Sequence, residues 1–171
     1  SPREAFQFLT DVPSLESSGV VVRMPGTWRG NRPARPQVSA TVGGLPAAGL
    51  GMDALLDFRM QVTLEGETLS AAEIRSLLAG SDGLALIRGR WVEVDRDKLG
   101  RLLEQFREAE RTAAGGGLSF AEAMRMLAGA NVLAAPSASA IDPDWASVAA
   151  GPWLAETLKA LNSEEVKSRL A

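Results

Sequence analysis

The chain has 171 residues, of which 46% are hydrophobic and 23% are charged, and its formal net charge is −3. These values are ordinary for a chain that folds around a core of its own. Cysteine and histidine are both absent, which excludes disulfides, thiol nucleophiles, histidine general bases and zinc sites built from those side chains.

Two further absences narrow the class of protein. No apolar run approaches the roughly 18 residues that a membrane-spanning helix needs, and no secretion leader is visible. The first residue is Ser1 rather than methionine, so we expect the chain to be a piece of a longer protein.

The N-terminal part predicts a helix followed by two strands. Ser1 and Pro2 stand in the order that favours a helix start, a capping residue and then proline. Because proline removes a backbone donor, we expect Pro13 to break or restart this helix. Two runs that are β-branched or alternate in polarity then predict strands, Gly19–Met24 and Gln37–Val42. A polar loop, Pro25–Pro36, separates them.

The middle of the chain carries the clearest local signals. Apolar residues alternate with polar ones over residues 56–64, which is typical of a strand with one buried face. Ser70 and Glu73 have the spacing of a capping box, so a helix is expected to begin there. Two short β-rich runs follow, Leu84–Arg88 and Arg90–Val94, joined by a single glycine. A hairpin, a bulged ribbon and a kinked ribbon all fit this spacing.

The rest of the chain predicts helices. Asp95 is placed to cap an amphipathic helix, which Ala113–Gly117 is expected to end. Ser119 begins a second capping box. Pro152 is a favourable first residue for a further helix, and Ser163 is expected to start a final one that the end of the chain cuts short.

These elements predict an α+β fold. We expect an N-terminal mixed α/β half with a small, mostly antiparallel sheet, followed by a C-terminal helical half. The predicted division lies at residue 112, so that residues 1–112 form the α/β core and residues 113–171 form a helical extension.

Three patterns that suggest ligand chemistry have simpler structural explanations. Gly49–Ala54 matches a dinucleotide fingerprint, but a proline-containing loop precedes it and a strand follows, whereas that site needs a strand and then a helix. The pairs Asp95/Asp97 and Asp142/Asp144 have the spacing of some magnesium ligands, but the first fits a helix cap and the second a turn. No P-loop motif is present. We therefore expect neither a cofactor nor a metal in this chain.

Arginine is concentrated where acidic residues are missing. Residues 17–52 contain no aspartate or glutamate. Guanidinium groups make forked contacts with phosphate, and an indole can stack on a base. Three interpretations fit this segment: a solvated loop with its indole in the core, a nucleic-acid contact, or a docking contact with an acidic protein face. The candidate contact residues are those of this segment together with two arginines of the predicted ribbon: Arg23, Trp28, Arg29, Arg32, Arg35, Arg88 and Arg90.

Trp91 directly follows the second of these ribbon arginines. We interpret it as a core or interface anchor rather than a stacking platform for nucleic acid, because an indole buries a large area.

Five stretches of the chain carry a family resemblance. They are Leu50–Phe58, Leu69–Ser70 with Glu73, Arg88–Glu93, Gly19–Pro25 with Trp28, and Gly151–Leu154 with Leu158 and Leu161. Together they resemble the accessory domain found N-terminal to the motor in bacterial Swi/Snf-type helicase-like ATPases. Two positions depart from that pattern: Thr27 stands where the family often has an aromatic residue, and Pro152 stands where it usually has a small one.

The resemblance implies a non-catalytic accessory or regulatory domain of a DNA-dependent ATPase. Such a domain would pack on the ATPase motor in cis and contact DNA or RNA, in the cytoplasm or nucleoid of a bacterium and without a membrane partner. ATP and magnesium would bind only to a motor beyond Ala171. One alternative is a weak nucleic-acid-binding module that acts through residues 23–35. A stand-alone enzyme ranks last, and the oligomeric state is open.

Overall fold

The computed structural model describes residues 1–26, 28, 32–47, 55–129 and 142–169, with the backbone alone for residues 163–169. The helices in this part of the chain are α1 (Pro2–Ser17), α2 (Ala71–Ala79), α3 (Arg96–Gly116), α4 (Phe120–Leu127) and α5 (Pro152–Arg169). The strands are β1 (Pro36–Val42), β2 (Leu55–Leu56), β3 (Phe58–Leu64), β4 (Glu67–Thr68), β5 (Gly83–Ile87), β6 (Arg90–Val94), β7 (Leu118–Ser119) and β8 (Ala146–Ala150).

Helices and strands are interspersed along the whole chain, which confirms the predicted α+β class. The prediction of a C-terminal half made only of helices is wrong, because β7 and β8 both lie there. By contacts in space the chain divides into two compact units, Ser1–Gln37 with Val62–Leu102 and Val38–Gln61 with Leu103–Ala171. The predicted boundary at residue 112 divides the chain along its sequence and not by contacts in space, so it stays a prediction.

The first helix begins as expected but does not break at its proline. The Ser1 hydroxyl accepts the backbone N–H of Glu4, and the Glu4 carboxylate accepts from the Ser1 amine at 2.6 Å. This is the reciprocal pattern of a capping box. The helix runs through Pro13 to Ser17, so the predicted break is wrong. Pro13 removes one helical hydrogen bond, but its neighbour Val12 is buried, and packing of this kind supplies most of a helix's stability.

Gly19 ends α1 instead of beginning a strand. The Gly19 amide donates to the Glu16 carbonyl and the Val20 amide donates to the Leu15 carbonyl, both at 3.0 Å. With Gly19 at φ +85, these bonds form a Schellman motif. Residues 20–25 have neither helical nor strand structure. The strand predicted over Gly19–Met24 is therefore wrong, because β-branched residues favour a strand only where a neighbouring strand pairs with them.

Two hairpins in the first unit have the same two-residue turn. Glu65 and Gly66 connect β3 to β4 with φ values of 50 and 88, and Arg88 and Gly89 connect β5 to β6 with φ values of 50 and 74. Positive φ at both central residues is the signature of a type I′ turn. The hairpin interpretation of the ribbon is therefore confirmed, with Arg88 in the turn rather than in the strand.

The sheet that contains β1 is mixed. Its strand order is β4-β3-β1-β8, and β1 pairs with β8 in parallel, from Val38 opposite Ala146 to Val42 opposite Ala150. The expected antiparallel pairing holds for β3 with β4, β2 with β7 and β5 with β6. Strand β8 has little sequence signal, because its residues Ala-Ser-Val-Ala-Ala carry little apolar alternation.

Gly43 lies where β1 meets the start of α5. Its carbonyl accepts the Leu154 amide at 3.0 Å, and the Gly151 amide donates to the Val42 carbonyl at 2.7 Å. The Leu154 side chain is fully buried. Helix α5 starts at Pro152 as predicted, but it continues through Ser163 to Arg169. The separate helix predicted at Ser163 is therefore wrong.

The other predicted caps are confirmed. The side chains of Ser70 and Ser119 form capping boxes with Glu73 and Glu122, and Asp95 Oδ1 accepts the Lys98 amide at 2.9 Å. The helix that Asp95 caps extends to Gly116, within the stretch Ala113–Gly117 that was predicted to end it.

Helix α3 buries the apolar face that its spacing predicts. The side chains of Leu99, Leu103, Phe106 and Ala109 are buried. The Phe106 ring lies 6.1 Å from that of Phe58 in β3. From the same helix, Glu110 accepts the Met60 amide at 3.3 Å, so a helix side chain satisfies a strand donor.

Substitution of Gly43 tests how closely β1 and α5 pack. A Cβ atom on Gly43 (φ +68) would lie 2.6 Å from Leu154 Cβ, whereas a Cβ on Gly66 (φ +88) would have nothing within 4 Å. Alanine therefore adds overlap and backbone strain at the first position but strain alone at the second. We expect Gly43→Ala to lower the free energy of unfolding by about 2–5 kcal/mol, and Gly66→Ala by about 1–2 kcal/mol. Urea unfolding of both variants measures these losses, and equal losses would contradict the close packing.

Candidate functional site

The structure divides the seven candidate residues into two groups. Arg23 and Arg32 are exposed and Trp28 is partly buried, while Arg29 lies outside the described residues. Among described residues, neither Arg23 nor Arg32 forms an ion pair with a carboxylate. The remaining three each pair with a glutamate of the same compact unit: Arg35, Arg88 and Arg90.

Arg35 is held against β6. Its Nε donates to Glu93 Oε2 at 3.0 Å, and both side chains are more than four-fifths buried. Backbone contacts also join this segment to β6. The Glu93 amide donates to the Ala34 carbonyl at 2.9 Å, and Ala34 forms a parallel bridge with Val92. Arg35 therefore extends the ribbon and fixes the segment before β1.

Arg88 connects its own turn with two other elements. Its Nε and one terminal nitrogen donate to the two carboxylate oxygens of Glu73, at 2.6 and 2.9 Å. The terminal nitrogen that reaches Glu73 also donates to the Thr68 carbonyl at 3.1 Å, and the other terminal nitrogen donates to Glu67 Oε2 at 2.9 Å. The forked contact with Glu73 is the strong geometry for a guanidinium and a carboxylate. The β5–β6 turn is thereby joined to the start of α2 and to β4.

A second pair makes the connection reciprocal. Arg90, which follows the β5–β6 turn, donates to Glu65 Oε2 at 2.6 Å, and Glu65 is the first residue of the β3–β4 turn. Arg88, the first residue of its own turn, pairs in the same way with Glu67, which follows the other turn. We refer to the ion pairs Arg88–Glu67, Arg88–Glu73 and Arg90–Glu65 as the hairpin latch.

The contacts of Glu73 with Arg88 and Ser70 also change its pKa. Hydrogen bonds from Arg88, and after them those from Ser70, lower the pKa of Glu73 from 4.5 to about 2. The same contact with Glu73 is the largest cause of the raised pKa of Arg88. Both groups are therefore charged at neutral pH, and the guanidinium of Arg88 is directed at acids of its own unit.

Leu86 and Trp91 form an exposed apolar pair on the β5–β6 ribbon. They lie directly opposite each other in register, so their side chains share one face of the ribbon. Leu86 is 57% exposed and Trp91 is 45% exposed. The next pair along, Leu84 and Glu93, is covered. On this face of the ribbon, the exposed apolar area is therefore confined to Leu86 and Trp91.

The acidic pairs considered as metal ligands have structural partners. Asp95 caps α3, and Asp142 Oδ1 accepts the Asp144 amide at 3.1 Å, as in an Asx turn. In the part of the chain that the structure describes, no three acidic side chains are grouped as a metal site. Gly49–Ala54 lies outside the described residues. None of the described helices combines the length and the apolar composition that a membrane span requires.

The sequence reasoning overlooked the partners of the ribbon arginines. The two turns read Glu65-Gly66-Glu67 and Arg88-Gly89-Arg90, which are the same pattern with opposite charge. That complementarity is a signal for pairing between two hairpin turns. It was missed because the arginines were grouped with the basic segment instead of with the neighbouring acids.

The pKa of Glu73 predicts a loss of stability in acid. Its folded-state pKa of about 2 lies below its ordinary value of 4.5, so the unfolded state binds more protons between these values. The stabilisation by Glu73 is full above pH 4.5 and is lost as pH falls towards about 2. We expect Glu73→Gln to flatten this part of the stability profile, and Arg88→Met to do the same because it removes the main donor. Urea unfolding across this pH range measures the effect, and an unchanged slope in both variants would contradict it.

Comparison with known proteins agrees with the resemblance noted in the sequence. Residues 1–128 match the family model described as SNF2 Helicase protein. Over 113 residues the chain is 32% identical to "Putative ATP-dependent helicase/translocase YwqA" of Bacillus subtilis (strain 168), and the alignment covers 64% of this chain and 12% of that protein. No solved structure matches the chain. Because the family model covers well over half of its residues, the chain belongs to the SNF2 helicase protein family.

Proposed function

We propose that this chain is a non-catalytic accessory domain of an SNF2-type ATP-dependent helicase or translocase. In this proposal it packs on the ATPase motor of the same polypeptide and positions or regulates that motor. The observation that carries the proposal is the family match over residues 1–128. It is supported by the acidic side chains with defined contacts, such as Glu73, Asp95 and Glu122, which serve as helix caps or ion-pair partners.

The same proposal assigns the energy-consuming chemistry to another part of the protein. ATP and magnesium would bind in a motor that follows Ala171, and residues 113–171 would lead towards it. The division at residue 112 remains part of this proposal. The bacterial relative supports a location in the bacterial cytoplasm, at or near the nucleoid.

The isolated chain should not hydrolyse ATP. We expect phosphate release from the purified 171-residue chain, with and without DNA, to equal that of the buffer control. The intact SNF2 protein should release phosphate in the same assay, and removal of this chain should change its DNA-stimulated rate. An activity that follows the isolated chain through successive purification steps would contradict the proposal.

A second candidate function is weak binding of nucleic acid through residues 23–35. The observation that favours it is the exposure of Arg23 and Arg32, neither of which pairs with a carboxylate among the described residues. Arg35 forms an ion pair with Glu93, so the number of phosphate contacts from this segment is expected to be small.

Salt dependence tests this second function. With two phosphate contacts, from Arg23 and Arg32, the logarithm of the binding constant should fall against the logarithm of salt concentration with a slope of about −2. We expect the double variant Arg23→Ala, Arg32→Ala to abolish binding of labelled DNA at low salt. The matched control Arg75→Ala, Arg101→Ala removes two other exposed arginines of the first unit and should leave binding unchanged. Equal losses in both double variants would point to net charge rather than to this segment.

A further inference from the structure

The pair Leu86–Trp91 is an exposed apolar feature of the β5–β6 ribbon, with both side chains on one face. We propose that this pair anchors the chain on an apolar, uncharged surface of the SNF2 motor in the same polypeptide. The inference rests on the proposed accessory function and adds to it the surface that meets the motor and the chemistry of its partner.

Charge around the pair favours an uncharged protein partner over nucleic acid. The charged groups considered are those of the hairpin latch and of the Arg35–Glu93 pair. They comprise three arginines and the four glutamates paired with them: Arg35, Arg88, Arg90, Glu65, Glu67, Glu73 and Glu93. The surroundings are therefore not cationic, and each guanidinium already has a carboxylate partner. A phosphate backbone would meet no net attraction here, since nucleic-acid affinity depends on neutralising phosphates.

The size of the pair favours a tethered partner over a second copy of the chain. Exposed parts of one tryptophan and one leucine amount to something on the order of 200 Å². A stable interface between separate proteins buries about 1,200–2,000 Å² in total. A partner in the same polypeptide has an effective concentration that reaches the millimolar range with a short linker, so a small anchor suffices.

The ribbon presents the pair in a fixed position. Arg88 and Arg90 hold the turn next to the pair through the hairpin latch, and the Arg35–Glu93 pair covers the adjacent part of the same face. Docking therefore needs little ordering of the anchor, which lowers the entropic cost of binding. Tryptophan is also among the residues that most often dominate the energy of protein interfaces.

Hydroxyl-radical footprinting tests the anchor on whole proteins. Oxidation of side chains is measured by mass spectrometry in the 171-residue chain and in the intact SNF2 protein that carries it, both without DNA. We expect oxidation of Trp91 and Leu86 to fall by about fivefold or more in the intact protein, because a docked side chain loses solvent. Leu45, which is 53% exposed in the second unit, is the matched control and should be oxidised equally in both.

Variants of the intact protein provide an independent measurement. Trp91→Ala with Leu86→Ala should expose the connection between this chain and the motor to limited proteolysis, whereas Trp91→Phe, which keeps an aromatic anchor, should remain protected. Because both residues are about half exposed in the chain itself, the alanine variants should stay folded, with a urea unfolding midpoint lowered only by the loss of one cross-strand pair.

The outcomes separate this inference from the proposed function. Protection of other surfaces of the chain, but not of Leu86 and Trp91, would leave the accessory function standing and overturn the anchor. Absence of any protection in the intact protein would overturn both. Protection of the pair that requires added DNA, or that also appears in the 171-residue chain as its concentration rises, would overturn the anchor in favour of nucleic acid or a second copy.

Discussion

The first unit depends on ion pairs between two hairpin turns of the same type, one flanked by glutamates and the other by arginines. An isolated ion pair at a protein surface contributes little, because water screens it and two long side chains must be ordered. In the hairpin latch the contact with Glu73 is forked, and the same carboxylate accepts the Ser70 amide that begins α2. One glutamate thus caps a helix and holds the turn of a hairpin. The arrangement fixes two non-glycine residues, Glu65 and Arg88, at positive φ, a backbone conformation that is costly for residues with a Cβ atom.

Features specified by neighbouring residues were predictable from the sequence. The caps at Ser70, Asp95 and Ser119 were predicted correctly because a side chain and the backbone it bonds lie within three residues of each other. The alternating burial of β3 and the apolar face of α3 were predictable for the same reason, since periodicity is local. The single strand predicted over residues 56–64 is divided at Asp57, because Leu55 and Leu56 pair with β7 instead.

Features that depend on distant residues were not predictable in this way. Strand β8 exists because β1 offers a parallel edge about a hundred residues earlier in the chain, and its own small residues give no strong signal. The strand predicted over Gly19–Met24 is the opposite case. Its β-branched side chains find no strand to pair with in the described structure, and Gly19 ends the helix before it. For the candidate site, the sequence supplied the arginines, but only the fold revealed which of them face acids of the same unit.

The contacts of the first unit separate residues that hold its structure from residues that remain exposed. Charged residues of the first unit are largely occupied with holding its turns and helix starts in place. Among the exposed residues, Leu86 and Trp91 form an apolar surface at the hairpin, while Arg23 and Arg32 are basic. In the proposed function these two surfaces would meet separate partners, the apolar one the motor and the basic one nucleic acid.

The parallel pairing of β1 with β8 also bears on the order in which the chain folds as it is synthesised. The residues of the first unit are all present once Leu102 has been made, whereas the second unit still lacks the partner of β1 and the leucine that packs against Gly43. Contacts between such distant segments form late, because a long loop must close first. A nascent chain that has reached residue 128, where the family match ends, would still expose an unpaired edge of β1, which is a template for association with other chains. A truncation at the family boundary is therefore a poor choice for expression, because strand β8 is needed to pair with this edge of β1.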